Sequence, residues 1–118
     1  MNAQIHMIVD SLSEKKADTI RVVAYPEGTH PVMDYGVIVS ARNSIHINVL
    51  KDTLYGVYKS HKQDAGADWD FLGQSGTPDS QWVIMDFNHI VVHIMTQLLR
   101  DQYDFDKLFA DAENYRYY

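Results

Sequence analysis

Two sets of residues in this 118-residue chain could do chemistry: six histidines and two pairs of closely spaced aspartates. The pairs are Asp68-Trp69-Asp70 and Asp104-Phe105-Asp106. On a β-strand, each pair would place two carboxylates on one face, as nucleotidyltransferases require for Mg²⁺. D-x-D is a weak pattern in an acidic chain, and no Gly-Ser turn that could grip phosphate precedes either pair. A metal-dependent nucleotidyltransferase or nucleotide-binding domain is therefore the alternative function.

The histidines do not have the spacing of a metal site. His89 and His93 are four residues apart, as zinc ligands on a helix would be, but they lie in a β-branched stretch. Four residues along a strand span about 13 Å, which is too far for two ligands of one ion. The chain also has no cysteine, which excludes disulfides and thiolate metal sites. We predict no metal, no cofactor and no catalytic residue.

The charge of the chain is −6 and is unevenly distributed. Residues 1–63 hold seven basic and six acidic side chains, whereas residues 64–118 hold three basic and ten acidic ones. An acidic half argues against sequence-specific nucleic-acid binding, because phosphate contacts need Lys and Arg. It fits a basic protein partner, although an acidic surface that only confers solubility is also common.

Length and hydropathy predict one small domain. We expect this domain to occupy residues 1–112, with a C-terminal tail at residues 113–118. The residues after Met1 do not form a basic segment followed by an apolar run, and the apolar runs are far shorter than the roughly 20 residues that span a bilayer. The expected location is the cytoplasm, without membrane contact.

The hydrophobic periodicity predicts the element order α-β-β-α-β-β-β-α. Helices are predicted over residues 2–16, from Ser44 to near Gly66, and within residues 97–112. The predicted inward side of the second helix carries Ile45, Val49, Leu50, Leu54, Val57 and Tyr58. Strands are predicted over residues 19–25, 35–40, 69–72 (short), 81–87 and 90–95, with a loop at 73–80. This order predicts an α/β (α+β) fold, in which helices pack on a mixed five-stranded sheet.

The last two predicted strands form a hairpin with an aromatic residue near each end of its first strand. Only Asn88 and His89 separate the strands, and Asn tolerates the left-handed backbone of a tight turn. Trp82 opens the first strand after a polar loop, and Phe87 lies at the hairpin tip. Aromatic residues often anchor protein interfaces. From the residues alone, core and interface are equally good interpretations of both.

Residues 81–95 resemble the signature of the RsfS/Iojap family, which reads approximately W-V-L-L-D-Y-G-D-V-V-V-H-V-F. Residues 100–112 are similar to its R-x-x-Y-x-x-E-x-L-W-x-D-A ending, residues 33–40 to its T-D-Y-F-V-I-C-S strand, and residues 15–20 to its K-K-A-x-D-I. The resemblance covers about residues 5–112. Four positions depart from the pattern: Asn88-His89 replaces Gly-Asp, Ser40-Ala41-Arg42-Asn43-Ser44 replaces S-G-T-S, Ser75-Gly76 replaces E-G, and Phe109 replaces Trp.

The resemblance implies a nucleotidyltransferase-like fold that lacks catalytic carboxylates and acts as a non-enzymatic binding protein. The implied partner is the large ribosomal subunit, through its ribosomal protein L-fourteen. The bound factor would block joining of the small subunit and so repress translation under nutrient limitation. A homodimer through the hairpin is a further expectation to be tested.

The resemblance also implies a set of partner-binding residues. Trp82 and Phe87 are the expected apolar anchors, and Tyr103 matches the tyrosine of the C-terminal motif. Asp34 and Asp86 match acidic positions of the motifs, and they would either pair with basic partner residues or brace the loops. His93 would belong to the interface or serve as a structural histidine.

Overall fold

The computed structural model describes residues 3–25, 34–64, 69–103 and 114–117. The helices are α1 (Ala3–Glu14), α2 (Ser44–His61) and α3 (Gln97–Gln102), with a short 3-10 turn at Pro78–Ser80. The strands are β1 (Asp18–Ala24), β2 (Tyr35–Ala41), β3 (Gly73–Thr77), β4 (Trp82–Asp86), β5 (Ile90–Thr96) and β6 (Asn114–Tyr117).

The described strands form one mixed sheet in the order β3-β4-β5-β2-β1-β6. The central pair β2 and β5 is parallel, and every other pair is antiparallel. Helices α1 and α2 cover one face of the sheet, and the main core lies between them and the inward side chains of the strands. These observations confirm the predicted mixed sheet with packed helices.

Helix α2 begins as the sequence predicts and buries a narrower stripe than expected. Asn43 is its N-cap, and the Asn43 side chain accepts a hydrogen bond from the His46 amide at 2.8 Å. Its buried residues are Ile47, Leu50 and Leu54. At 100° per residue, Ile45 and Val49 point away from this stripe. They are 75% and 42% exposed, although the sequence predicted them to face inward.

A smaller apolar cluster lies on the opposite face of the sheet. Its buried members are Val23, Tyr25, Ile38 and Met95, and Trp82 and Leu99 pack against them. Helix α3 lies on this face, since Arg100 Nη1 donates to Ser40 Oγ at 2.9 Å and Ser40 pairs with Met95 across the sheet.

Two predicted boundaries were wrong. The third strand is Gly73–Thr77, inside the predicted loop, and residues 69–72 are not a strand. The residues of β3 are polar and show no hydrophobic alternation, because this exposed edge strand pairs with β4 through its backbone. Residues 114–117, predicted to lie in a tail, form β6 against β1 and give the sheet a sixth strand.

The last predicted helix is confirmed only as α3. Residues 104–112, where it was predicted to continue, lie outside the described residues. The likeness to nucleotidyltransferases remains a prediction. Within the described segments, no helix is long and apolar enough to cross a bilayer.

Candidate partner-binding groove

A groove of about 340 Å³ opens on the sheet face that carries α3. We call it the Trp82–Tyr103 groove after its two aromatic residues. It runs between the β3–β4 edge of the sheet and the end of α3. Its lining consists of Ser75, Gly76, Ser80, Trp82, Ile84, Leu99 and Tyr103. A concave, mainly apolar surface of this kind suits recognition of a partner side chain.

The alternation of β4 places Trp82 in the groove. Successive side chains of a strand point to opposite faces, so Trp82, Ile84 and Asp86 share one face. All three are half-buried, whereas the intervening Val83 and Met85 are fully buried in the main core. Trp82 therefore has one side against the protein and the other toward solvent.

The turn that precedes β4 fixes the backbone of Trp82. Gly76 has a φ of +79°, and a Cβ added there would lie 2.1 Å from the Trp82 carbonyl oxygen. Only glycine allows this close approach of the two strands. The Ser80 hydroxyl lies 2.9 Å from the same oxygen, and Gln81 has a left-handed φ of 66°. The Thr96 hydroxyl donates to Gln81 Oε1 at 2.8 Å, which ties the turn to β5.

Helix α3 positions Tyr103. The Thr96 side chain caps α3 by accepting a hydrogen bond from the Leu99 amide at 3.2 Å. Arg100 Nη1 donates to Ser40 Oγ and to the Thr19 carbonyl oxygen, which holds the helix on the sheet. Tyr103 follows directly and is 56% exposed. The arginine and tyrosine of the C-terminal motif thus have different roles: Arg100 docks the helix and Tyr103 lines the groove.

His93 on β5 contacts Trp82 within the same face. The Trp82 Nε1–H donates to His93 Nδ1 at 3.2 Å, and the two ring centroids are 6.0 Å apart. Indole nitrogen is only a donor, so Nδ1 must carry the lone pair and the proton of the neutral ring resides on Nε2. Desolvation by burial lowers the pKa of His93 from 6.5 to about 4. His93 is accordingly neutral at physiological pH.

The two predicted acidic residues lie at the other end of the hairpin and brace its turn. Asp86 Oδ1 accepts a hydrogen bond from the Asn88 amide at 2.9 Å, and Asn88 has the predicted left-handed φ, at 73°. Asp34 Oδ2 lies 3.3 Å from His89 Nδ1, and the Asp34 amide donates to the His89 carbonyl oxygen at 2.8 Å. Of the two roles predicted for these acids, the structure provides loop bracing.

The prediction that Phe87 is an exposed anchor disagrees with its burial. Phe87 is 1% exposed and packs among Tyr58, Trp69 and Phe71, with centroid distances of 5.4 to 6.1 Å. It follows Trp82 by five residues, an odd number, so the strand alternation directs it to the opposite face. Phe87 stabilises the core beneath the hairpin and is not available to a partner in this structure.

The structure thus brings Trp82 and Tyr103 together and separates them from the acids. Trp82 and Asp86 are four residues apart along β4, or about 13 Å. The sequence did not predict the five other lining residues, which are Ser75, Gly76, Ser80, Ile84 and Leu99. The same alternation would have found Ile84, and Ser80 lies only two residues before Trp82. Ser75, Gly76 and Leu99 come close to Trp82 only through the tertiary fold.

A second cleft, of about 640 Å³, lies at the carboxyl ends of β2 and β5. Ligands of α/β sheets often bind in such a position. Its charged lining residues are Asp18, Arg42 and Asp79, which do not include Asp70 of the first D-x-D pair. Asp68, Asp104 and Asp106 lie outside the described residues. Among the residues that are described, no group of three His, Cys, Asp or Glu side chains could hold a metal ion.

Comparison with solved structures shows the class of fold: a small α+β domain built on a mixed sheet. A crystal structure from Bacillus halodurans matches with a TM-score of 0.71 at 20% identity, covering 88% of this chain and 90% of the other. A crystal structure from Chromobacterium violaceum matches with a TM-score of 0.73 at 20% identity, covering 91% and 83%.

Residues 1–117 match the model of the RsfS family, described as "ribosomal silencing factor during starvation". The chain belongs to this family, and the predicted family resemblance is confirmed. A ribosomal silencing factor RsfS from Haemophilus influenzae is 25% identical over 83 residues, covering 70% of this chain and 76% of the relative.

The names of two eukaryotic relatives refer to mitochondria. The mouse protein "Mitochondrial assembly of ribosomal large subunit protein 1" is 28% identical over 106 residues. The Arabidopsis thaliana "Protein Iojap-related, mitochondrial" is 26% identical over 100 residues. These matches cover 90% and 84% of this chain. The chain spans about half the length of both relatives, at 45% and 52%.

Proposed function

We propose that this protein binds the large ribosomal subunit through ribosomal protein L-fourteen and thereby blocks joining of the small subunit. The Trp82–Tyr103 groove is the proposed contact surface. Membership of the ribosomal silencing family supports the ribosome as the target. The identity of the contacted ribosomal protein and the block of subunit joining come from the family resemblance. Repression of translation under nutrient limitation, in the cytoplasm, is part of the same proposal.

The observation that carries this proposal is the half-buried Trp82 beside the exposed Tyr103. A tryptophan held rigidly on one side and open on the other can bury its free face without losing much side-chain entropy. Leu99 and Ile84 extend the apolar floor of the groove, and Ser75 and Ser80 provide a polar rim. A hot-spot residue ringed by contacts that exclude water is the usual anatomy of a protein interface.

The net charge of −6 favours a basic partner. Two of the acidic residues are close in sequence to groove residues: Asp79, which lines the second cleft, precedes the rim residue Ser80, and Asp101 lies two residues before Tyr103. Both aspartates are exposed, so they can attract a positively charged surface without being buried in the contact. Charges in this position raise the association rate more than the final affinity, and salt screens them.

The proposed mechanism is occupancy and requires no catalytic group. A bound domain fills space that the small subunit would need, so affinity and position determine the effect. Asp86 of the hairpin and Asp34 beside its turn already accept a hydrogen bond or pair within the protein. They serve the shape of the hairpin, and the groove supplies the contact.

The test is the affinity of the protein for isolated large ribosomal subunits. Truncating a hot-spot tryptophan costs at least about 2 kcal/mol, so we expect Trp82→Ala to raise Kd by roughly 30-fold or more. Ile45→Ala is the matched control, because Ile45 is an exposed apolar side chain on the outward face of α2, away from the groove. Equal affinities of wild type and Trp82→Ala would remove the groove from the interface.

A second copy of the chain is the competing occupant of this groove. The same apolar residues would serve a homodimer, and dimerisation would then compete with ribosome binding. Sedimentation velocity over a range of concentrations measures the dimer directly. If a dimer forms and uses the groove, Trp82→Ala dissociates it, whereas Ile45→Ala leaves it intact.

A further inference from the structure

We propose that His93 is a positioning residue for partner binding, which holds the Trp82 indole in its binding orientation by accepting the hydrogen bond of its N–H. This inference rests on the proposed function, because it assigns a role within the Trp82–Tyr103 groove. His93 need not touch the partner to act in this way.

The geometry gives this contact its effect. Trp82 and His93 lie on neighbouring strands, β4 and β5, and their side chains share one face of the sheet. Ile84 is the direct cross-strand partner of His93, and Trp82 lies two residues before Ile84. The Trp82–His93 hydrogen bond therefore runs diagonally between the two strands. The 3.2 Å hydrogen bond from Nε1 to Nδ1 therefore directs the indole along the sheet toward β5. A partner then meets one prepared surface instead of several rotamers.

The chemistry of the pair explains why a histidine suits this position. The indole N–H is a donor without acceptor capacity, so the residue opposite must present a lone pair on an otherwise apolar face. The neighbouring Met95 and Ile38 are buried and cannot accept this hydrogen bond well. Neutral imidazole combines an acceptor nitrogen with a flat ring that packs against the indole, with 38° between the ring planes.

Loss of this orientation would weaken binding of the partner. If His93 no longer accepts the hydrogen bond, Trp82 samples other rotamers in the free protein, and the partner must select one of them. Immobilising one such side chain weakens binding about three- to tenfold. A residue of equal reach with an acceptor oxygen should restore the orientation, whereas an apolar residue of similar size should not.

The experiment compares His93→Leu with His93→Gln in a single-tryptophan background. The chain has two tryptophans. Trp69 can be replaced by Phe, because its buried Nε1 has no hydrogen-bond partner in the described part of the chain. In Trp69→Phe, fluorescence anisotropy and acrylamide quenching report on the Trp82 indole alone. Affinity for isolated large ribosomal subunits is measured on the same proteins.

We expect His93→Leu to lower the anisotropy of Trp82, to increase its quenching, and to raise Kd about three- to tenfold. His93→Gln should restore both the anisotropy and the affinity, which a merely space-filling role of His93 would not predict. Unchanged anisotropy in His93→Leu would overturn the inference whatever the affinity. Lowered anisotropy with unchanged affinity would also overturn it, provided that Trp82→Ala loses binding. If Trp82→Ala binds as tightly as wild type, the groove is not the contact surface, and the role of His93 in binding fails with it.

Discussion

The neutral, buried state of His93 predicts a pH-dependent stability that one substitution should remove. Burial lowers the His93 pKa from 6.5 to about 4. Between these values the unfolded chain binds a proton that the folded chain does not, so the free energy of unfolding rises with pH across this window. The contribution is fully present above pH 6.5 and is lost as the pH falls toward about 4.

The expected magnitude follows from the two pKa values. At 1.36 kcal/mol for each pKa unit, the complete loss is about 3 kcal/mol. By about pH 5, the linkage relation gives a loss of about 2 kcal/mol.

The assay is urea unfolding of wild type and His93→Gln between about pH 5 and pH 7.5. His93→Gln keeps an acceptor for Trp82 but does not titrate. All other ionisable groups are present in both proteins, so their contributions cancel in the difference. We expect the stability of wild type relative to the variant to fall by about 2 kcal/mol over this range. Parallel pH profiles would refute the assignment of His93 as a buried neutral histidine.

Three further predictions concern the fold and the alternative function. Phe87→Ala should reduce the free energy of unfolding by about 3–5 kcal/mol in urea melts, because it opens a cavity in the main core. The folded fraction should still bind large subunits. A loss of less than about 1 kcal/mol would contradict the burial of Phe87. Gly76→Ala should lower the free energy of unfolding by more than about 1 kcal/mol, because of the strained φ and the clash with the Trp82 carbonyl. The control Gly56→Ala, with nothing within 4 Å of the added Cβ, should stabilise α2. Equal effects of the two substitutions would reject the close approach at Gly76. Calorimetry with Mg²⁺ and ATP at millimolar concentration should show no heat of binding, and a saturating heat would revive the nucleotidyltransferase alternative.

The sequence predicted the elements whose local signals agree with their tertiary setting. Asn43 has both the residue type and the position of an N-cap, and α2 begins after it. Asn88 is a residue that tolerates left-handed backbone, and it forms the hairpin turn with a φ of 73°. Strands β2 and β5 are central and rich in β-branched residues, so their sequence pattern predicts strands.

The elements that were missed depend on neighbours far along the chain. Strand β3 is polar and glycine-containing, and only its pairing with β4 makes it a strand. The exposure of Ile45 depends on which face of α2 packs on the sheet. The spacing of the apolar residues in the sequence does not determine this face.

The candidate site was predictable in part. Trp82 and Tyr103 were found through the family motifs, but their convergence on one groove depends on α3 docking through Arg100. The burial of Phe87 could have been deduced, because an odd separation from Trp82 directs the two side chains to opposite faces. The contact between Trp82 and His93 could not, since it requires the register of β4 against β5.

Subunit joining in the presence of saturating protein is the most direct test of the proposed function. Purified small and large subunits are mixed under conditions that favour association and are separated on a sucrose gradient. Wild-type protein and Ile45→Ala should reduce the peak of joined ribosomes and co-migrate with the large subunit, and Trp82→Ala should do neither. A full peak of joined ribosomes with wild-type protein, and no protein in the large-subunit fractions, would contradict the account.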